Sequence, residues 1–312
     1  MTAARARKAG VPDHLVDQVV ALGPTAPGGP DAVPRQDAHA RPGPTVVACD
    51  LDRTLIYSTA AIQLGTHGTV VPPLVVAEVH RERATSFMTV DAGDLLEVLM
   101  RESVFVPCTT RTTEQYARIR LPGGTPHHAV TANGGRILVD GKPCRAWSAQ
   151  VQARLDLGGV PLAEVVDHLL AHQDPRWLLK LRTVEDLFTY LVVERTALPA
   201  TLVADLTAWC AERGWEVSLQ GRKLYCVPAA LTKGDAVAEV ADRLGARRVL
   251  AAGDSLLDAE LLARSDAGVR PAHGELHDQR WTSPHVAVTA HAGLAGGQEV
   301  VAWLLAQVLA DD

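Results

Sequence analysis

Two aspartates, Asp50 and Asp52, close the run Val46-Val-Ala-Cys-Asp-Leu-Asp. A short apolar run that ends in carboxylates spaced i, i+2 puts them at a strand end, where ligands of parallel sheets gather. Two carboxylates about 4 Å apart repel by roughly 4 kcal/mol at an effective dielectric near 20. A hard cation with a preference for oxygen ligands, such as Mg²⁺, relieves that repulsion. A second acidic pair, Asp254 and Asp258, follows the apolar run at 249–252 and Gly253. Four residues apart at a helix start, both carboxylates can face one point. A third strand end, Cys108-Thr109-Thr110-Arg111, offers a hydroxyl and helix-start amides to an anion. In Leu231-Thr-Lys233-Gly-Asp, a lysine precedes a helix and can neutralise a phosphate together with a nearby carboxylate. Each signal alone has an ordinary reading as an acidic turn, a helix cap or a solvated lysine. Two strand ends with paired acids make an ion site the stronger reading.

Short, nearly continuous apolar runs at 46–49, 104–108, 129–131, 249–252 and 286–288 have the character of strands covered on both faces. Helical patterns at 92–102, 113–119, 234–244 and 256–264 lie between them. This alternation predicts an α/β fold with a Rossmann-like parallel sheet wrapped by helices. The middle of the chain differs. After a hairpin at 136–142 it runs helix (149–171), two strands (177–184, 187–193), helix (198–214), two strands (216–220, 223–227). We expect a small α+β domain at 142–223, inserted into a core made of 45–141 and 224–312. Residues 1–44 combine a short helical stretch at 11–22 with a segment rich in Pro, Gly and Ala, and read as a disordered tail outside the compact structure. Gly293-Leu-Ala-Gly-Gly297 reads as a turn before the last helix.

The chain has 312 residues, 47% hydrophobic and 21% charged, with a formal net charge of −6. An acidic balance argues against a general affinity for nucleic acid. Five cysteines without a C-x-x-C pair argue against a zinc ribbon or a disulfide framework, and point to reduced thiols in the cytoplasm. No apolar stretch approaches the roughly 20 residues of a membrane span.

Together, the four strand-end signals resemble the motifs of the haloacid dehalogenase superfamily. Asp50-Leu-Asp52-Arg-Thr54 matches its D-x-D-x-T and Gly253-Asp254-x-x-x-Asp258 its terminal G-D-x-x-x-D, with Thr109 and Lys233 at the second and third motifs. Asn133-Gly134-Gly135 looks like the turn before the large cap of Cof-type and sucrose-phosphate-phosphatase-like members. Thr110 and Arg53 depart from the usual T-G-R and from a common glycine. The resemblance implies a Mg²⁺-dependent phosphomonoester hydrolase with Asp50 as nucleophile and Asp52 as general acid and base. It implies metal ligation by Asp50, the Asp52 carbonyl and Asp254, with Asp258 in support. Phosphoryl oxygens would meet Thr109, Thr110, Lys233 and the amides of Leu51 and Asp52. The substrate would be a small phosphorylated metabolite, plausibly a sugar phosphate, with Arg53, Arg111, Asn133, Arg182, Arg222 and Lys223 as candidate contacts. The alternatives are a sugar phosphomutase of the same superfamily and a non-catalytic phosphate-binding regulator.

Overall fold

A computed structural model describes residues 1–23, 43–62 and 72–310. Its centre is an eight-stranded sheet in the order Val286–Val288, Ala267–Arg270, Arg248–Ala252, Thr45–Asp50, Val104–Cys108, His128–Thr131, Arg136–Val139, Lys142–Pro143. The first six run parallel and the last two turn back antiparallel at one edge. The Thr45–Asp50 strand lies between Arg248–Ala252 and Val104–Cys108, and all six of its residues are buried. Its side chains alternate. Val47 and Cys49 join one apolar cluster with the helices Val90–Glu102 and Gly293–Ala310, while Val46 and Ala48 join another with Lys233–Leu244. Burial on both faces is what an apolar run without polar alternation requires.

A separate four-stranded antiparallel sheet, ordered Trp215–Gln220, Lys223–Pro228, Phe188–Val193, Leu178–Val184, is interleaved in the chain with the helices Arg145–Leu157, Leu162–Ala171 and Leu202–Ala211. The expected boundary at 223 falls inside this sheet, because Lys223–Pro228 is its central strand and pairs on both sides. The single helix expected at 149–171 is two helices. Gly158, Gly159 at φ 74° and Pro161 break it.

A hairpin of Leu74–His80 and Arg83–Thr89, joined by Tyr57–Ser58, forms a third sheet that sequence patterning did not mark.

The expectation of a tail over 1–44 is corrected for its first half. Ala3–Lys8 and Asp13–Ala21 are helices whose Ala6, Leu15, Val16 and Val19 are almost fully buried in the core cluster that includes the Gly293–Ala310 helix. Leu15, Val16 and Val19 make one apolar face, and Gln18 beside them accepts from the Gln298 side-chain amide at 3.0 Å. Amphipathic periodicity was present, but its docking partner lies 280 residues away. Residues 24–42, the Pro/Gly-rich stretch, lie outside the described residues. Leu15→Ala is therefore expected to cost about 2–4 kcal/mol in urea unfolding, as for other buried leucines. An unchanged midpoint would return this segment to the status of a tail.

Candidate active site

The carboxyl ends of three neighbouring parallel strands converge. Asp50 ends one strand, Thr109 follows Val104–Cys108, and Gly253-Asp254 follows Arg248–Ala252. Past Asp50 the chain coils tightly. The amides of Thr54, Leu55 and Ile56 donate to the Leu51 carbonyl at 3.4, 3.0 and 2.8 Å, and Arg53 N donates to Ile56 O at 2.8 Å. The Leu51 side chain is buried in the core, so only its backbone can reach a ligand. Arg53 adopts φ 71°, a left-handed conformation that costs a residue with a Cβ about 1 kcal/mol or more.

Lys233 is the hub. Its side chain is 1% exposed, and Nζ donates to Asp50 Oδ1 at 2.7 Å and to Asp258 Oδ1 at 2.6 Å. Thr232 caps the helix that presents it, its hydroxyl accepting from Asp235 N. Asp258 spends its other oxygen on the amides of Asp254 (3.2 Å) and Ser255 (3.0 Å) and on the Ser255 hydroxyl (2.7 Å). Gly253 is required beneath it, since an added Cβ would lie 2.4 Å from the Asp258 carboxyl carbon.

One carboxylate oxygen each of Asp50, Asp254 and Asp258 lies within 4.8 Å of the others. Among the described residues, Asp50 Oδ2 and both Asp254 oxygens accept no hydrogen bond; Arg53 Nε stands 3.5 Å from Asp254 Oδ2 without hydrogen-bond geometry. Burial pushes Asp254 well up, as do the charges of Asp50 and Asp258. Burial likewise pushes Asp50 up to about 7 against the pull of Lys233. Buried carboxylates with free oxygens and raised proton affinity fit a hard divalent cation, which would stabilise their charged forms. Asp258, fully engaged, orients the Asp254 loop and Lys233.

Asp52 is held differently. Arg111 grips it with two bonds, Nε to Oδ2 at 2.7 Å and Nη2 to Oδ1 at 2.8 Å. Burial raises the Asp52 carboxyl, but the guanidinium outweighs it and holds the group at about 2. Arg111 Nη1 in turn donates to Glu78 Oε2 at 2.9 Å, and Glu78 also accepts from Arg118 (3.1 Å) and the Ser86 hydroxyl (3.0 Å). Glu78 and Ser86 come from the unforeseen hairpin, so the site contains a brace that motif reading missed. A buried glutamate in an alternating strand was its only mark.

Thr109 Oγ1 accepts from Arg111 N at 3.1 Å, leaving its own proton free to be donated. Thr110, expected on phosphate, turns its hydroxyl to the Tyr225 hydroxyl of the four-stranded sheet at 3.2 Å. Asn133, expected on substrate, is 1% exposed, and its Nδ2 donates to Leu231 O at 2.9 Å. Its turn ties the Thr109 strand end to the start of the Lys233 helix. A Cβ on Gly134 (φ 97°) would stand 2.0 Å from Thr232 O. Lys223 is half-buried close to the Asp52 end of the site, its ammonium over the Tyr190 ring at 5.7 Å. Arg182 and Arg222 are exposed on the same sheet and its turn.

Several contacts join this sheet to the core, and in its turn Glu185 accepts from Thr113 N at 2.7 Å and pairs with Arg136 at 3.0 Å. Besides Thr110 and Tyr225, Glu275 accepts from Ser218 Oγ (2.5 Å) and Leu219 N (2.8 Å) while its Oε2 also accepts from Leu256 N (3.0 Å).

This fold has counterparts among solved structures. The sucrose-phosphatase from Synechocystis sp. PCC6803, solved with sucrose and phosphate, superposes with a TM-score of 0.53 at 16% identity, over 81% of this chain and 95% of that one. The chain shares that fold. A Thermoplasma acidophilum protein aligns similarly, with a TM-score of 0.54 at 11% identity over 83% of this chain and 96% of that one. No protein-family model matches the chain, and no curated protein matches it at a significant level. Likeness at this identity establishes the α/β core with its antiparallel addition; the chemistry rests on the side chains.

Proposed function

We propose that the chain is a Mg²⁺-dependent phosphomonoester hydrolase of the haloacid dehalogenase superfamily, acting on a small phosphorylated metabolite of the sugar-phosphate class. The observation that carries this reading is Lys233, buried between Asp50 and Asp258 at one point of convergence of three strand ends. Asp50 Oδ2 attacks phosphorus, the bond from phosphorus to the ester oxygen breaks, and the leaving oxygen takes a proton from Asp52. Water then gives a proton to Asp52 and attacks the aspartyl phosphate, freeing phosphate and Asp50. Splitting one displacement into two easier ones is the gain of covalent catalysis. Asp50 and Asp254 would hold Mg²⁺, which supplies charge neutralisation to the phosphoryl oxygens when bound. Lys233 favours the ionised form of Asp50 and holds it in place, and the Thr109 hydroxyl donates toward a phosphoryl oxygen.

Asp52 needs a proton for its first task, and Arg111 opposes that. An arriving phosphoryl dianion repels the Asp52 carboxylate by roughly 4 kcal/mol per charge at about 4 Å and competes for Arg111. Both effects raise Asp52 into the range of a working acid. The four-stranded sheet with its helices would serve as a cap that excludes water. Five free cysteines, four of them buried, accord with a reducing, cytoplasmic setting. The one described helix long and apolar enough to cross a membrane, Gly293–Ala310, is 78% buried within the core.

Phosphate release from a panel of phosphorylated metabolites, with Mg²⁺ and with chelator, tests the reading. Turnover is expected with Mg²⁺ alone; undiminished turnover in chelator would refute the metal assignment.

A further inference from the structure

Arg53 and Lys223 are cations that the hydrolytic steps do not use. Arg53 directly follows the acid Asp52 in the chain, in a left-handed conformation natural to glycine, with Nε 3.5 Å from Asp254 Oδ2. Its Nε is buried and makes no hydrogen bond. Strain of this kind persists where it serves a site. Its other end reaches the inserted sheet, since a Cβ on Gly221 would stand 3.4 Å from Arg53 Nη1. Gly221 opens the turn that delivers Lys223. Lys223 precedes Tyr225 by two residues, so both point to the same face of the strand, and Tyr225 meets Thr110 of the core. The Lys223 ammonium makes no hydrogen bond or ion pair among the described residues; it rests over Tyr190. Tyr225 first and then Asp52 raise its proton affinity, yet Asp52 spends both oxygens on Arg111. Its charge acts on the acid from the inserted sheet with its donors unspent.

We infer that Arg53 and Lys223 form an anion subsite for the leaving group, so that the preferred substrates are phosphomonoesters whose alcohol half carries a second negative charge. The inference rests on the phosphatase reading for its chemistry. The ligand chemistry is a carboxylate or a second phosphate, either of which accepts charge-assisted hydrogen bonds from an ammonium and a guanidinium. Lys223 supplies a point charge from the inserted sheet, and Arg53 a planar donor from the core. The substrate's own phosphoryl group is served separately by Lys233 and Thr109.

The test uses pairs that differ in one charged group. Gluconate 6-phosphate against glucose 6-phosphate probes the carboxylate, and fructose 1,6-bisphosphate against fructose 6-phosphate probes the second phosphate. In the wild-type protein, kcat/KM for at least one charged member should exceed that of its neutral partner by about tenfold or more, the scale of one charge-assisted bond. Lys223→Met and Arg53→Gly should each collapse that ratio toward one; glycine suits the backbone at position 53. Equilibrium binding of the same pairs to Asp50→Asn protein gives a readout that needs no turnover. Neutral partners hydrolysed as well as the charged ones, or a ratio that survives both substitutions, would overturn the subsite and leave the phosphatase standing. Tight binding of the charged members without phosphate release by the wild-type protein would do the reverse.

Discussion

Asp50→Asn is expected to lower phosphate release by at least about 10⁴-fold while the protein stays folded. The amide is nearly isosteric with the carboxylate but cannot attack phosphorus, and loss of a covalent nucleophile is among the largest single effects in enzymes. Stability should hold or rise. Asp50 shares a buried site with Asp254 and Asp258, and its proton affinity is raised by burial and by Asp258. Removing one charge relieves repulsion that Lys233 and Arg53 only partly offset. Phosphate release and thermal unfolding, measured side by side, separate the two effects. A folded variant with near-normal turnover would remove Asp50 from the mechanism.

The second large effect should come from Lys233→Met. Methionine keeps most of the volume, so the change isolates the charge. Lys233 is buried with bonds of 2.7 and 2.6 Å to two buried carboxylates. Breaking a buried ion pair from one side costs about 3–5 kcal/mol, because the remaining charges stay desolvated. Urea unfolding should show that loss, and added Mg²⁺ should restore part of it by binding the exposed carboxylates. Turnover should fall with it. Stability within about 1 kcal/mol of wild type would mean that the cluster is relieved by protonation and that Lys233 is not its keystone.

The elements around the reacting groups were readable because their signals are local. Val46 to Asp52 announces a buried strand and its acidic end within seven residues, and the same holds for 249–258. Elements whose meaning depends on distant partners were not readable. The Leu74–Thr89 hairpin turns at Arg81 and Glu82, both at positive φ, without the Gly or Asn that usually marks such a turn. Glu78 therefore went unnoticed, although it anchors Arg111 on Asp52. Gly293 to Gly297 suggested a turn but begins the final helix. A Cβ on Gly297 would stand 2.7 Å from the Tyr57 ring, so close packing rather than chain reversal explains a glycine there. The partners of Thr110 and Asn133 were not readable for the same reason. These partners, Tyr225 and Leu231, come from segments about a hundred residues away.

The docking of the first two helices on the last one also bears on how the chain is made. At a ribosomal rate of about 5–20 residues per second, some 15–60 s pass between synthesis of Leu15 and of the Gly293–Ala310 helix that covers it. Until then the face of Leu15, Val16 and Val19 lacks the helix that completes its cover. The parallel sheet waits as well, since Thr45–Asp50 cannot acquire its neighbour Arg248–Ala252 before most of the chain has emerged. Native contacts of such sequence separation form slowly. The decisive contacts thus wait for the last helix, and the nascent chain carries an apolar stripe that a chaperone has tens of seconds to engage.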